Sequence, residues 1–263
     1  MAEVYGTERP RRKRRGRRLL ITFLVLLILL AALLAVADRV AVSYAERTIG
    51  DRVAEQLAAE QATAQQPDVT VEGVPFLTQV AAGKYEEVKI QLRDFSAPAE
   101  NNQTIKMPTV DVRALDVSAP LDTVRTGNGE ITVGTVTGVG TIAYADLAAL
   151  IGREGLTVSE QGGRLVGTGP IEALGQTFQL SGAANLEVVD GVVRVRFSDV
   201  TAEGLPAVPL VQNLVDNYVK SLSYDLKVPA LPLGMQVQKV EPRPEGLVVT
   251  FGANNVPLQS GGV

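Results

Sequence analysis

Leu186-Glu187-Val188-Val189-Asp190-Gly191-Val192-Val193-Arg194-Val195-Arg196-Phe197 is the stretch that decides the fold class. Leu186 and Val188 share one face of an extended chain, and Asp190-Gly191 is the dipeptide of a two-residue hairpin turn. Val193, Val195 and Phe197 then resume the alternation, with Arg194 and Arg196 turned outward. Such a segment is a half-buried antiparallel hairpin. The unit recurs in Leu156–Val166, turning at Gly162-Gly163, and in Val237–Phe251, turning at Glu245-Gly246.

Working outward, β character continues upstream. Val69-Thr70-Val71 begins a strand, and Tyr85–Phe95 alternates Val88, Ile90 and Leu92 against Lys89, Gln91 and Arg93. Ile105–Val117 repeats the pattern with Val110 and Val112 on one face. In Ile131–Ile142 the apolar phase slips near Val136, which predicts a bulge. Helical spacing interrupts this run at Pro75–Ala82, closed by Gly83, and at Tyr144–Ile151. Two longer helices are predicted. One spans residues 39–63, with Val42, Ala45, Ile49, Val53 and Leu57 at spacings of three or four. The other is Pro209–Leu222, with proline at its start. The fold class is α+β: an antiparallel sheet with helices on it.

The N-terminus sets the location. Arg9, Arg11, Arg12, Lys13, Arg14, Arg15, Arg17 and Arg18 precede a charge-free apolar run from Leu19 to Ala37. Nineteen helical residues reach roughly 28 Å, close to the hydrocarbon thickness of a bilayer. The positive-inside rule keeps the basic side in the cytoplasm. The expected organisation is a basic cytoplasmic tail over 1–18, a transmembrane helix or uncleaved signal anchor over 19–37, and an extracytoplasmic domain over 38–263. Ala35-Val36-Ala37 also fits the small-x-small pattern of a signal cleavage site, which is the competing reading. Both place the main domain outside the cytoplasm.

Composition narrows the chemistry. Beyond residue 37 there are 17 basic and 27 acidic residues, a formal charge of about −10, with no bulk attraction for nucleic acid. The chain has no cysteine, so no disulfide holds it. It also has no histidine, which removes Ser-His-Asp and Cys-His catalysis together with thiolate or imidazole zinc sites. The absence of tryptophan weakens a carbohydrate-platform reading.

The remaining motifs have plainer explanations. Gly138-Val139-Gly140-Thr141-Ile142-Ala143 superficially fits a dinucleotide fingerprint, but its glycines sit inside a β pattern rather than opening a helix. Strand glycine at a bend is the expectation. Asn102-Gln103-Thr104 matches a glycosylation sequon. Glu86 and Glu87 are adjacent in a strand and point to opposite faces. Asp111, Asp116 and Asp122 lack calcium-loop spacing.

What stands out is the abundance of Val, Leu and Ile faces in an exported, tethered domain. An antiparallel sheet with helices normally fills its own interior. Alternatively, part of that interior holds acyl chains: sixteen carbons are worth roughly 12 kcal/mol at about 0.8 kcal/mol per methylene. A groove of about 20 Å would be needed, and strands of six to eight residues supply it.

Val71-Glu72-Gly73-Val74-Pro75-Phe76-Leu77-Thr78-Gln79-Val80, followed by Gly83-Lys84-Tyr85-Glu86-Glu87-Val88, resembles the signature of the LmeA-type phospholipid-binding family of bacterial cell-envelope proteins. Leu231-Pro232-Leu233-Gly234-Met235 and the closing Glu245-Gly246-Leu247-Val248-Val249 are similar to its C-terminal pattern. The resemblance covers about Asp38–Leu258. It implies a fold akin to the tubular lipid-binding proteins, with a curved antiparallel sheet wrapped on a long helix. It also implies phospholipid binding, including phosphatidylinositol-type lipids, in some members with a role in lipid-linked mannan elongation. No catalytic motif is implied.

The combined expectation is a non-enzymatic, membrane-anchored protein that holds or shuttles a phospholipid or lipid-linked glycan precursor. It has no cofactor and no metal. Phe76, Leu77, Val88, Ile90 and Leu92 are the expected lining, with Ile49, Val53 and Leu57 from the helix. Lys84, Lys89 and Arg93 are the candidate headgroup contacts. A non-catalytic scaffold for an envelope glycosyltransferase or transporter is the second reading, and a carboxylate enzyme acting on glycans is the third.

Overall fold

The computed structural model describes residues 15–98, 103–126, 129–173, 176–202, 224–227 and 235–260. The basic residues Arg9–Arg14, Asn102 of the sequon, the predicted helix Pro209–Leu222 and Leu231–Gly234 lie outside these residues.

Helix α1 (Arg15–Ala59) runs unbroken through the apolar segment and into the domain, 45 residues or about 68 Å at ~1.5 Å per residue. It stops before the predicted residue 63. Gln61 adopts a left-handed conformation (φ 59°), the Ala62 N–H donates to the Leu57 carbonyl at 2.8 Å, and the Gln61 N–H donates to Ala58 at 3.1 Å. This is a Schellman ending, with Leu57 and Ala62 buried together. Thr63 then pairs with Ser96 and leaves the helix axis.

Two antiparallel sheets follow. The first has the order β1 (Asp68–Glu72), β2 (Lys84–Pro98), β3 (Thr104–Ser118), β4 (Gly129–Ile142), β11 (Gly246–Ser260), β10 (Gln236–Arg243). The second has β5 (Thr157–Gln161), β6 (Arg164–Ala173), β7 (Gln176–Val189), β8 (Val192–Ala202) and β9 (Tyr224–Lys227) in sequence order. Short helices α2 (Phe76–Ala82), α3 (Leu121–Thr126) and α4 (Tyr144–Ile151) connect strands. The α+β expectation therefore holds, with long antiparallel hairpins. Gly162-Gly163 and Asp190-Gly191 have positive φ at both central positions, the mirror-type turn that matches strand twist. The third turn differs by one residue. Arg243 pairs with Gly246, so Pro244-Glu245 make the turn and Gly246 opens β11.

The predicted bulge near Val136 is a different device. Register stays constant along β3–β4 and β4–β11, yet the buried side switches between Val133 and Val136. By that register Asp116, Gly134 and Asn255 lie in one row across three strands, and Asp116 and Asn255 have φ of 55° and 52°. Asp and Asn tolerate the left-handed region, and a Cβ at Gly134 would crowd the Asp116 Cβ at 3.0 Å. Asp94 (φ 50°), opposite Pro108, repeats the switch in β2–β3. Three strands thus bend together without losing register, and the sheet curves.

The core runs from Leu57 and Ala62 across Leu92, Val110, Val136 and Val249 to Leu165, Val193 and Val195 of the second sheet. Gly138 and Gly140 face this interior, where a Cβ would overlap the Phe251 ring and the Met107 sulfur respectively. The glycines that mimic a nucleotide motif are therefore spacers for larger neighbours, and the bend belongs to Gly134. Gly138→Val should destabilise the detergent-solubilised chain by about 1–3 kcal/mol or more in urea unfolding, because the ring it meets sits in a packed core. Val139→Ala, on the exposed face, should change the midpoint little.

Candidate functional site

The apolar residues singled out in the sequence converge where α1 meets the first sheet. Val42, Val69, Val71, Phe76 and Val88 form a buried cluster, with Ala45, Ile49, Tyr85 and Ile90 packed against it. Phe76 and Tyr85 have ring centroids 6.0 Å apart. Leu57 and Leu92 are buried in the larger core, and Val53 packs on it. Leu77 is half-buried.

Three polar contacts seat the helix. Asp38, buried although charged, accepts the Leu77 N–H at 2.8 Å in the first turn of α2, where Pro75 offers no side-chain cap. Glu46 accepts the Val71 N–H at 3.0 Å. This satisfies a backbone donor of the edge strand β1 that would otherwise invite pairing. Asp51 accepts from the Gln66 amide at 3.1 Å. Gly50 faces β1, where an added Cβ would lie 3.3 Å from the Pro67 carbonyl and 3.6 Å from Val69.

Because α1 sits on β1 and α2, it leaves much of the inner face of β2 and β3 incompletely covered. By register Val88, Ile90 and Leu92 pair with Ala114, Val112 and Val110. Val88, Leu92 and Val110 are buried, whereas Ile90, Val112, Ala114 and Val117 are only half-buried. With Tyr85, Ile49 and Val53, also half-buried, they form an apolar band beside the helix. From Val110 to Val117 it extends about 23 Å at ~3.3 Å per residue.

The basic candidates separate. Lys89 and Arg93 occupy the face of β2 opposite Val88, Ile90 and Leu92, as strand alternation requires. Lys89 pairs with Glu72 at 2.7 Å and Glu87 at 3.8 Å; Arg93 lies 3.7 Å from Asp68 and bonds Gln91. The hydrogen bond from Lys89 holds the Glu72 carboxyl below the usual range, and the same bond raises Lys89. Lys84 is exposed at the start of β2 with no ion pair among the described residues. Tyr85 escaped the sequence reading as a site residue. Burial pushes its phenol up, so it stays a neutral donor and acceptor.

An apolar helix–sheet seam thus lies beside a helix long and apolar enough to cross a membrane. A family model described as LmeA-like phospholipid-binding matches residues 36–252. The chain belongs to that family, and membership supports lipid binding. No curated protein and no solved structure matches the chain.

Two outcomes follow from the contacts. Asp38→Ala should cost about 0.5–2 kcal/mol, as loss of a capping carboxylate does, and should speed amide exchange in α2 in hydrogen-exchange mass spectrometry. In Lys89→Met, the Glu72 carboxyl should titrate by NMR back toward the ordinary carboxylate value. Its small stabilising contribution is present above the unfolded-state value and lost as pH falls through the lowered folded one, so the variant should flatten the acid limb of stability.

Proposed function

We propose that the chain is an anchored, extracytoplasmic phospholipid-binding protein that holds or shuttles a phospholipid or lipid-linked glycan precursor in support of cell-envelope lipoglycan assembly. In this reading residues 19–37 span the membrane and 38–263 form the lipid-binding domain. The apolar helix near the N-terminus also passes as a signal sequence. The anchor is favoured because α1 continues without interruption from the apolar run into the domain. The ligand is of the phosphatidylinositol type or a relative with a phosphate headgroup, and an envelope glycosyltransferase is the partner that would use the lipid delivered.

The observation that carries the reading is the half-buried band of Ile90, Val112, Ala114 and Val117 beside α1, in a chain of a phospholipid-binding family. Each methylene moved from water onto such a band is worth about 0.8 kcal/mol, so one acyl chain outweighs the ordering it costs. Of the three basic candidates Lys84 is best disposed toward a headgroup, since acidic neighbours occupy Lys89 and Arg93. No catalytic role is assigned.

Full-length protein extracted in mild detergent should retain phospholipid detectable by native mass spectrometry. Ile90→Arg should lose it while keeping the far-UV circular dichroism of the parent, and Ile90→Met should retain it. Absence of lipid from the parent, together with no uptake from vesicles, contradicts the reading.

A further inference from the structure

The position of the domain relative to the apolar run is set by Asp38. It is the residue directly after Ala37, and it is already buried in the domain, bonded to Leu77 at 2.8 Å. No spacer separates the end of the run from the folded domain. From there α1 runs past Val71 at the end of β1, bonded to Glu46, toward Pro67 before its start, which Gly50 approaches. The end of the sheet nearest the apolar run is therefore the end of β1, the start of β2 and the end of β3.

Register and contacts assemble that end. Lys84 pairs with Ser118, the Ala119 N–H donates to the Gly83 carbonyl at 2.9 Å, and Gly83 abuts Pro120. Outside α1, the large apolar residues exposed among the described residues are Val74, Leu115, Leu121 and Val139. Two of these four, Val74 at 75 % and Leu121 at 42 %, lie at this end. Pro75 is exposed beside Val74, and Lys84 is exposed next to Gly83, which abuts Pro120. On α1, Tyr44 is 74 % exposed, less than two turns beyond Asp38.

We propose that the Gly73–Pro75 turn and the Pro120–Leu121 step form a rim that rests in the interfacial layer of the bilayer, with Lys84 meeting lipid phosphate and Tyr44 standing at headgroup level. Exposed valine and leucine lose apolar surface to the acyl boundary there, lysine reaches the phosphates, and tyrosine is at home at that depth. A domain held out on a stalk would need residues between the span and the fold, and this chain has none. The inference rests on the anchored reading above and adds to it: the half-buried apolar band, which reaches Tyr85 and Val117 at this same end, meets the lipid layer directly.

The chain has no cysteine, so single Val74→Cys, Leu121→Cys, Val139→Cys and Val25→Cys variants of the full chain each carry one fluorophore. They are reconstituted into vesicles of phosphatidylcholine and phosphatidylglycerol, with domains on the outside. The labels at 74 and 121 should shift to shorter emission wavelength and be quenched by shallow lipid-borne nitroxide. The label at 139, on the outer face of β4, should stay quenchable from water. Labels at 74 and 121 as water-accessible as 139, with the label at 25 quenched deep in the bilayer, overturn the rim and leave the anchor standing. A water-accessible label at 25 overturns both.

Discussion

The burial of Asp38 against the first turn of α2 is the contact on which the arrangement depends. A carboxylate is costly to remove from water unless it is hydrogen-bonded. Here it takes the N–H that Pro75, lacking a capping side chain, leaves unserved. That bond joins α1 to the domain directly after the apolar run ends at Ala37. Glu46 and Gly50 extend the same seam along β1, one by accepting an edge N–H and the other by permitting close approach.

From that seam the remaining architecture follows. Since α1 covers the edge strand, the sheet gains protection from edge pairing, while Ile90, Val112, Ala114 and Val117 on the inner faces of β2 and β3 stay half-buried. The row of Asp116, Gly134 and Asn255 curves the strands without breaking register, and Gly138 and Gly140 make room for Phe251 and Met107 deeper in. The interior is accordingly closed toward β4 and β11, while the apolar residues beside the helix keep partial exposure.

The sequence made much of this legible. Period-two alternation and paired turn residues located the hairpins, glycine after Ala82 marked the end of α2, and helical spacing located α4. Three features were hidden for physical reasons. The end of α1 depends on Gln61 adopting a conformation that glycine normally signals. The phase slip in β4 looked like a bulge because a single strand does not reveal that its neighbours bend with it. Alternation already put Lys89 and Arg93 on the face opposite the lining residues, and what stayed hidden was what they pair with. Their carboxylate partners Glu72, Glu87 and Asp68 come partly from another strand, which no local pattern announces.

The central claim is that the face of β2 and β3 beside α1 holds lipid chains. Photocrosslinking with a phospholipid carrying a diazirine in its acyl chain, incorporated with the full chain and mapped by peptide mass spectrometry, tests it most directly. Adducts on Tyr85–Leu92 and Val110–Val117 are the predicted result. Adducts confined to Leu19–Ala37, with none on either strand, would contradict it.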